Sequence, residues 1–154
     1  MEKSSRHAKI TGDFGEALVL YWLSRSGFEC ARVDHTGIDL IARRPRSDER
    51  LGISVKSRSR VPGTEADSVN IGGPGDLAKV AAACDAFQCA PYFAIVVDAA
   101  PRMAVFLLSM EHLARLHPSR TGFISWSMTP NRVKQYLADS SIRSLHFVID
   151  SEKW

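Results

Sequence analysis

The stretch ISVKSRSR, residues 53–60, alternates as a β-strand does. Successive side chains of a strand point to opposite faces, so one face carries Ser54, Lys56, Arg58 and Arg60. Neither a packed core nor an ordinary solvent surface requires such a row of hydroxyl and cationic groups. The stretch therefore predicts a strand whose polar face has a function.

The charges around this strand form a basic patch. The window from Arg43 to Arg60 holds seven basic and two acidic residues, a net charge of +5, whereas the whole chain has a formal charge of +3. A concentrated basic patch on a nearly balanced protein is typical of a protein that binds a polyanion such as nucleic acid. The alternative is a solvated run of charges without a partner.

The composition indicates a globular protein. The 154 residues are 45% hydrophobic and 24% charged, which suits one domain over residues 1–154, with a core at about 5–116 and a C-terminal extension at about 117–154. Every apolar stretch is too short or too interrupted for export or membrane anchoring, so we expect a cytoplasmic protein. An odd number of cysteines without the paired spacing of zinc ligands predicts reduced core thiols.

Periodicity predicts the order of the elements. A first helix carries a buried apolar stripe and ends near Ser26, before Gly27. Its stripe consists of Ile10, Phe14, Ala17, Leu18 and Tyr21. The next elements are strands at 28–33, 37–42 and 53–60, a loop at 61–75, a helix beginning near Leu77, strands at 92–99 and 103–109, and a helix at 110–116. The extension is predicted as a strand, a helix and a strand, at 123–128, 129–140 and 144–149.

The strands at 37–42 and 53–60 are expected to form a hairpin. A turn around Ser47 and Asp48 gives opposed residues whose numbers sum to about 95, so Asp39 faces Lys56, and a shift of two residues keeps the two on one face. A simple ion pair across the strands contributes about 0.2 to 1 kcal/mol. Asp39, however, interrupts the apolar segment GIDLIA, where an unpaired acid is costly unless a cation or a metal compensates it.

Three segments together resemble a known group of proteins. GDFGEALVLYWL (12–23), GIDLIA (37–42) and ISVKSR (53–58) are similar to the PD-(D/E)xK nuclease superfamily, and within it to Holliday-junction resolvases and restriction-type domains. The similarity covers roughly residues 9–108. It implies an α/β restriction-endonuclease-like fold with a mixed central sheet flanked by helices. It also implies cleavage of DNA, including branched DNA, with Mg²⁺ or Mn²⁺, and it is compatible with a homodimer.

The resemblance also implies roles for individual residues. Glu16 and Asp39 match the metal-binding acids, and Lys56 matches the motif lysine, which completes the catalytic set. The expected contacts to nucleic acid are Arg43, Ser54, Ser57, Arg58 and Arg60. Carboxylates suit Mg²⁺, and the bases suit phosphate.

Ser54 departs from the superfamily pattern, which has an acid two residues before the lysine. A later acid can replace it, and the candidates are Glu65, Asp67 and Asp76. Two of the acids have structural alternatives: Asp13 and Glu16 have capping-box spacing, and Asp76 precedes Leu77 as an N-cap does. Two functions stay open: a metal-dependent endonuclease, or a nuclease-fold module that binds nucleic acid or a protein without cleaving it.

Overall fold

The computed structural model describes residues 3–149, and its first element is helix α1 (His7–Arg25). The helix ends as predicted: Gly27 has a φ of 86°, and the Phe28 amide donates to the Leu23 carbonyl at 3.0 Å. A left-handed residue just after a helix is the usual way to bond its last carbonyls. The chain thus turns directly from the helix into the first strand.

The predicted buried stripe of α1 is wrong. Its largest members, Ile10, Phe14 and Tyr21, are 54%, 45% and 61% exposed. The face that packs on the sheet contains Gly15, Val19 and Leu23. Gly15 determines which face of α1 packs on the sheet, because only a residue without a side chain fits there: a Cβ atom on Gly15 would lie 1.8 Å from the Ser57 hydroxyl. Close approach of the helix to the sheet therefore outweighs burial of the larger side chains.

Six strands form the central sheet in residues 3–149. In chain order they are β1 (Glu29–His35), β2 (Ile38–Arg43), β3 (Arg50–Ser59), β5 (Ala90–Ala99), β6 (Arg102–Ser109) and β8 (Arg143–Val148), and this is also their spatial order. Every neighbouring pair is antiparallel except β3 and β5, which are parallel. The sheet is therefore mixed, as predicted.

The two faces of the sheet have separate cores. On the α1 face, Val19 and Leu23 pack with the alternate strand residues that include Leu40, Ile53 and Val96. The opposite face is covered by α2 (Pro74–Phe87), which joins β3 to β5, and by α3 (Met110–Leu116). A parallel pair needs such a crossover, and here the helix supplies it.

The C-terminal extension adds to this second face and to the edge of the sheet. It consists of β7 (Ile124–Trp126), α4 (Pro130–Ala138) and β8, in the predicted order. Trp126 stacks on Tyr136 of α4 with ring centroids 3.8 Å apart, and Phe106 of β6 packs against both rings. The predicted loop at 61–75 is partly wrong, because β4 (Val69–Gly72) lies within it and pairs with β7.

All three cysteines are free: Cys84 is buried, and Cys30 and Cys89 are half-buried. Burial raises the pKa of the Cys84 thiol to about 11, which keeps it protonated at neutral pH. No helix in residues 3–149 is long and apolar enough to cross a membrane.

Candidate functional site

Asp39 lies at the point where the β2–β3 ladder stops. The last backbone pair is Leu40 with Ile53, and beyond it the Val55 amide donates to Asp39 Oδ2 at 2.6 Å. A side-chain carboxylate thus takes the place of a strand carbonyl. The bond fixes the orientation of the carboxylate at the end of the strand.

The predicted hairpin register was wrong by two residues. Leu40 pairs with Ile53 and Arg43 with Arg50, so opposed numbers sum to 93 and Asp39 comes nearest to Ser54 in register. The turn is centred one residue earlier than expected, and Arg46 within it adopts a left-handed φ of 63°. A shift of two residues leaves the facing side unchanged.

One side of Asp39 borders a small cavity between β3 and α2, which we call the lysine cavity. It has a volume of about 170 Å³. Its polar lining consists of Asp39, Ser54, Lys56, Asp76 and Lys79. Asp39 and Lys56 thus border one cavity, as the alternation of the strand predicts. Lys79 was missed in the sequence, although its position three residues after Asp76 on a helix was the available signal.

The other side of Asp39 borders a second cavity, which we call the glutamate cavity, with a volume of about 390 Å³. Its polar and charged lining consists of Glu16, Arg32, Asp34, His35 and Asp39. The structure therefore brings Glu16 of α1 and Asp39 of β2 to one space. The capping-box hypothesis for Asp13 and Glu16 is wrong, because α1 begins at His7 and both acids lie in its interior.

The pKa values of Glu16 and Asp39 are raised above their ordinary values. Burial and then the neighbouring Asp39 charge raise the pKa of Glu16, with Arg32 opposing them. Burial also raises the pKa of Asp39, which the Val55 amide and Lys56 partly lower again. Raised pKa values of carboxyl groups in a concave site make these two acids candidates for a functional role.

Ser54 is the position at which the resemblance expects an acid. Only 3% of it is exposed, and in the parallel register it pairs with Phe93 of β5. Ser54 lines the lysine cavity together with Asp39 and Lys56. A carboxylate at this buried position would need a cation to compensate it.

Asp76 is the candidate replacement acid that the structure brings to the lysine cavity. The N-cap reading is wrong: Gly73 is the N-cap of α2, and Asp76, three residues later, accepts the Gly73 amide with Oδ2 at 3.1 Å. Its other oxygen, Oδ1, lies 3.9 Å from the Lys79 amine. The side chain therefore has a structural role and still borders the cavity.

The other two candidate acids lie elsewhere. Glu65 accepts two hydrogen bonds from the Gly63 amide, at 2.8 and 3.0 Å, and it lines a different cavity beside α4. Asp67 is exposed, and its backbone carbonyl accepts from Arg60. The structure does not bring either acid to Asp39, because the loop folds back on itself between β3 and β4.

The expected nucleic-acid contacts separate into two kinds. Arg43 and Arg58 are exposed, so their guanidinium groups can reach a ligand. Arg60 donates through Nη2 to the carbonyls of Asp67 and Ser68, both at 2.8 Å, which makes it a tether of the 61–68 loop rather than a free cation. Ser57 packs beneath Gly15 of α1.

Within residues 3–149, no group of three or more histidine, cysteine, aspartate or glutamate side chains converges as a ready metal centre. The acids bordering the two cavities are Glu16, Asp34, Asp39 and Asp76. Mg²⁺ is often held by only one or two carboxylates together with water and phosphate oxygens. Asp39 with Glu16 or Asp76 fits that smaller requirement.

Comparison with known proteins bears on the fold. No family model matches the chain, and no curated protein matches it. Among solved structures, the chain is similar to a Holliday junction resolvase from the archaeal hyperthermophile Archaeoglobus fulgidus, with 17% sequence identity and a TM-score of 0.53. The match covers 73% of this chain and 83% of the resolvase. The predicted restriction-endonuclease-like fold is therefore confirmed.

Proposed function

We propose that this protein is a Mg²⁺- or Mn²⁺-dependent endonuclease acting on DNA phosphodiesters, of the junction-resolving or restriction-like kind. The observation that supports it most is the position of Asp39. Its carboxylate is held by the Val55 amide and borders both the cavity of Lys56 and the cavity of Glu16. This combination of two acids and a lysine suits phosphodiester hydrolysis.

Asp39 and Glu16 are the residues that would hold the cation, and Asp76 borders the lysine cavity on the other side of Asp39. Their fit rests on the mutual effect of the two acids, because the Asp39 charge contributes to the raised pKa of Glu16. A divalent cation held by these two carboxylates would offset that repulsion, and it would supply a more acidic water and compensate charge on the phosphate.

Lys56 is the positive group that the chain itself places beside Asp39. It is half-buried at the edge of the lysine cavity, and its charge lowers the pKa of Asp39. In such a position an ammonium group can orient the attacking water and stabilise negative charge that develops on the phosphate. Arg58, two residues further along the strand, is exposed and can contact a flanking phosphate.

A second function is favoured by Ser54. The hydroxyl group occupies the acid position of the resemblance, and no third metal-ligating side chain converges on Asp39 within the described part of the chain. A nuclease fold altered in this way would bind nucleic acid or a protein partner without cutting.

For the endonuclease function, cleavage of both strands of a duplex needs two active sites, which a symmetric dimer would supply.

Cleavage assays decide between the two functions. We expect the wild-type protein to nick linear or branched DNA with Mg²⁺ or Mn²⁺, and Asp39→Asn to lose this activity while keeping its affinity for DNA. Asp13→Asn is the matched control, because Asp13 is an exposed acid of α1 that pairs with Lys9. Metal-dependent cutting that persists equally in Asp39→Asn would contradict the endonuclease proposal. Binding without any cutting by the wild type would select the second function.

A further inference from the structure

Helix α1 has a second apolar face, on the side that points to solvent. Ile10, Phe14, Ala17 and Tyr21 are all exposed, and we call these four residues the outer stripe. At 3.6 residues per turn, they lie opposite to the face of α1 that packs on the sheet. The helix is therefore apolar on two sides, of which the fold of residues 3–149 uses one.

The spacing of the outer stripe is that of a seam between two helices. Its members follow at intervals of four, three and four residues, as in a heptad seam. From their exposed fractions, the three large side chains present roughly 300 Å² of surface, taking about 150 to 250 Å² for a complete aromatic side chain. A contiguous apolar patch of this size indicates an interaction surface, whereas single exposed apolar side chains do not.

A groove lies beside the C-terminal half of the outer stripe, between α1 and β1. We call it the α1 groove, and its volume is about 370 Å³. Ala17 and Tyr21 line it on the helix side, and Cys30 lines it on the strand side. The N-terminal half of the stripe instead carries two large exposed side chains, Ile10 and Phe14. One half of this surface therefore protrudes, and the other half is recessed.

The charges around the outer stripe do not favour a polyanion. Lys9 and Asp13 compensate each other in an ion pair of 2.9 Å on α1. Arg32 in the α1 groove donates through Nη2 to the Asp13 carbonyl at 3.2 Å, which holds its guanidinium group against the helix. An apolar centre with balanced charges beside it is typical of a protein–protein interface.

We propose that the outer stripe is a homodimer interface, in which α1 packs antiparallel on α1 of a second copy. A two-fold axis places the protruding half of each helix on the recessed half of the other. If opposed residue numbers sum to 31, Phe14 lies against Ala17, a large side chain against a small one, and Ile10 lies against Tyr21. The stripe then forms the apolar centre of an interface that typically buries about 800 Å² per partner. Because the surface is complementary to itself, a second copy is the partner that it fits.

This dimer has a consequence for the candidate site. The proposed register centres the two-fold axis between Gly15 and Glu16. Glu16 borders the glutamate cavity at one side of α1, and an axis within the interface leaves this side of both helices on the same side of the dimer. Two sites would thus face one DNA molecule, a consequence that rests on the proposed function, whereas the interface itself does not.

Sedimentation equilibrium tests the interface without DNA. We expect the wild type to dimerise reversibly, and Phe14→Glu to weaken the association at least about a hundredfold, because the charge is buried twice in each dimer. Phe123→Glu is the matched control, since Phe123 is 62% exposed and lies outside α1. Ala17→Glu should act as Phe14→Glu does, and thermal unfolding of each variant shows that it is folded. A wild type that is monomeric at all concentrations, or equal weakening by Phe14→Glu and Phe123→Glu, would overturn the interface.

A charge pair across the two-fold axis tests the antiparallel register. Positions 10 and 21 are about 16 Å apart along one helix, at 1.5 Å per residue, so they cannot pair within one chain. In the dimer, Ile10→Glu of each copy faces Tyr21→Lys of the other. The double variant should therefore associate about tenfold more tightly than the two single losses together predict. Strict additivity of the two losses would overturn the proposed pairing.

The interface and the endonuclease proposal fail separately. A wild type that dimerises through this face but cuts no DNA would support the interface and contradict the proposed function. A monomeric wild type that nicks DNA would overturn the interface alone. Binding of a monomer to lipid vesicles that is lost in Phe14→Glu would also overturn it, because an amphipathic helix can lie on a membrane surface.

Discussion

The amide of Val55 donates to the carboxylate of Asp39 over 2.6 Å, one residue beyond the last backbone pair of the hairpin. The same carboxylate therefore ends the strand pairing and faces the two cavities of the candidate site. A structural bond and a functional acid are combined in one side chain, and substitutions can separate the two roles.

Asp39→Asn keeps an oxygen that accepts the Val55 amide, whereas Asp39→Leu leaves this amide without a partner. We expect the free energy of unfolding of Asp39→Asn to equal or exceed that of the wild type, because burial disfavours the charged form of the Asp39 carboxyl group. Asp39→Leu should lose about 1 to 3 kcal/mol relative to Asp39→Asn. Denaturant unfolding of both variants measures the difference. Equal stability of the two would show that the Val55 bond does not support the fold.

Ser54→Glu places a carboxylate at a buried position beside Asp39. Without metal we expect it to be less stable than Ser54→Gln by at least about 1 kcal/mol, because a second negative charge is buried. Mn²⁺ at a hundred times its dissociation constant should restore about 2.7 kcal/mol in Ser54→Glu. Thermal unfolding with and without Mn²⁺ checks this. A Mn²⁺ effect of the same size in the double variant Asp39→Asn/Ser54→Glu would argue against a metal site at this strand end.

Gly15→Ala introduces a methyl group in the space of the Ser57 hydroxyl. We expect a loss of about 1 to 3 kcal/mol in the free energy of unfolding, the usual cost of overpacking. Ser57→Gly removes the opposing atoms, so the double variant should recover part of the loss. A double-mutant cycle measures this coupling. Strict additivity would mean that α1 does not rest on Ser57.

Arg58→Gln and Arg60→Gln form a matched pair, at the end of β3 and directly after it. Arg58 is exposed, so its removal should flatten the salt dependence of DNA affinity by about 0.9 and leave stability unchanged. Arg60 tethers the carbonyls of Asp67 and Ser68, so its removal should lower stability and leave the slope close to that of the wild type. Salt titrations and unfolding curves for both variants are needed. If Arg58→Gln lowered stability and Arg60→Gln flattened the salt dependence instead, Arg60 would be the phosphate contact and Arg58 the structural residue.

Asp139 links α3 and α4 and predicts a dependence of stability on pH. Its carboxylate accepts from the Ser141 amide at 2.8 Å and lies 2.7 Å from His112 Nε2. These two bonds, the amide first, hold the pKa of Asp139 below its ordinary value of 3.8. The stabilisation of the fold by ionised Asp139 is therefore complete above pH 3.8, the ordinary pKa, and is lost as the pH falls through the lower pKa of the folded state.

Asp139→Asn tests this link. At pH 7 we expect the variant to lose about 1 to 2 kcal/mol of unfolding free energy, the range for hydrogen bonds to a charged group. The gap between wild type and variant should close as the pH drops below 3.8. Unfolding curves measured between about pH 2 and pH 7, where carboxyl groups titrate, give the difference in unfolding free energy between wild type and variant at each pH. A gap that is constant over this range would rule out the charge as its source.

Patterns within one short segment predicted the fold well. The alternation of residues 53–60 and the apolar run at 37–42 were enough to identify the hairpin, and a register error of two residues keeps Asp39 and Lys56 on one side. Periodicity also predicted the order of the remaining elements, apart from β4. The residue that ends the turn in a left-handed conformation, Arg46, carries no signal in its type, so the exact register was not predictable.

Features that depend on distant partners were the ones predicted wrongly. The apolar stripe of α1 looked like a core face, but the packing of Gly15 on Ser57 selects another face. Strand β4 has only four residues and forms because β7, more than fifty positions later, pairs with it. Arg60 was predicted as a phosphate contact, because the carbonyls of Asp67 and Ser68 that bind it are not recognisable in the sequence.

The parallel pairing of β3 with β5 has a consequence for how the protein folds. The β2–β3 and β5–β6 pairs can form from neighbouring segments, but β3 reaches β5 only after a long loop has closed, since Leu51 pairs with Ala90. Contacts between residues so far apart in sequence slow folding, because chain entropy is lost before they form. We therefore expect Asp39 and Lys56 to come together early within their hairpin, and the α2 side of their cavity to form later, with the crossover from β3 to β5.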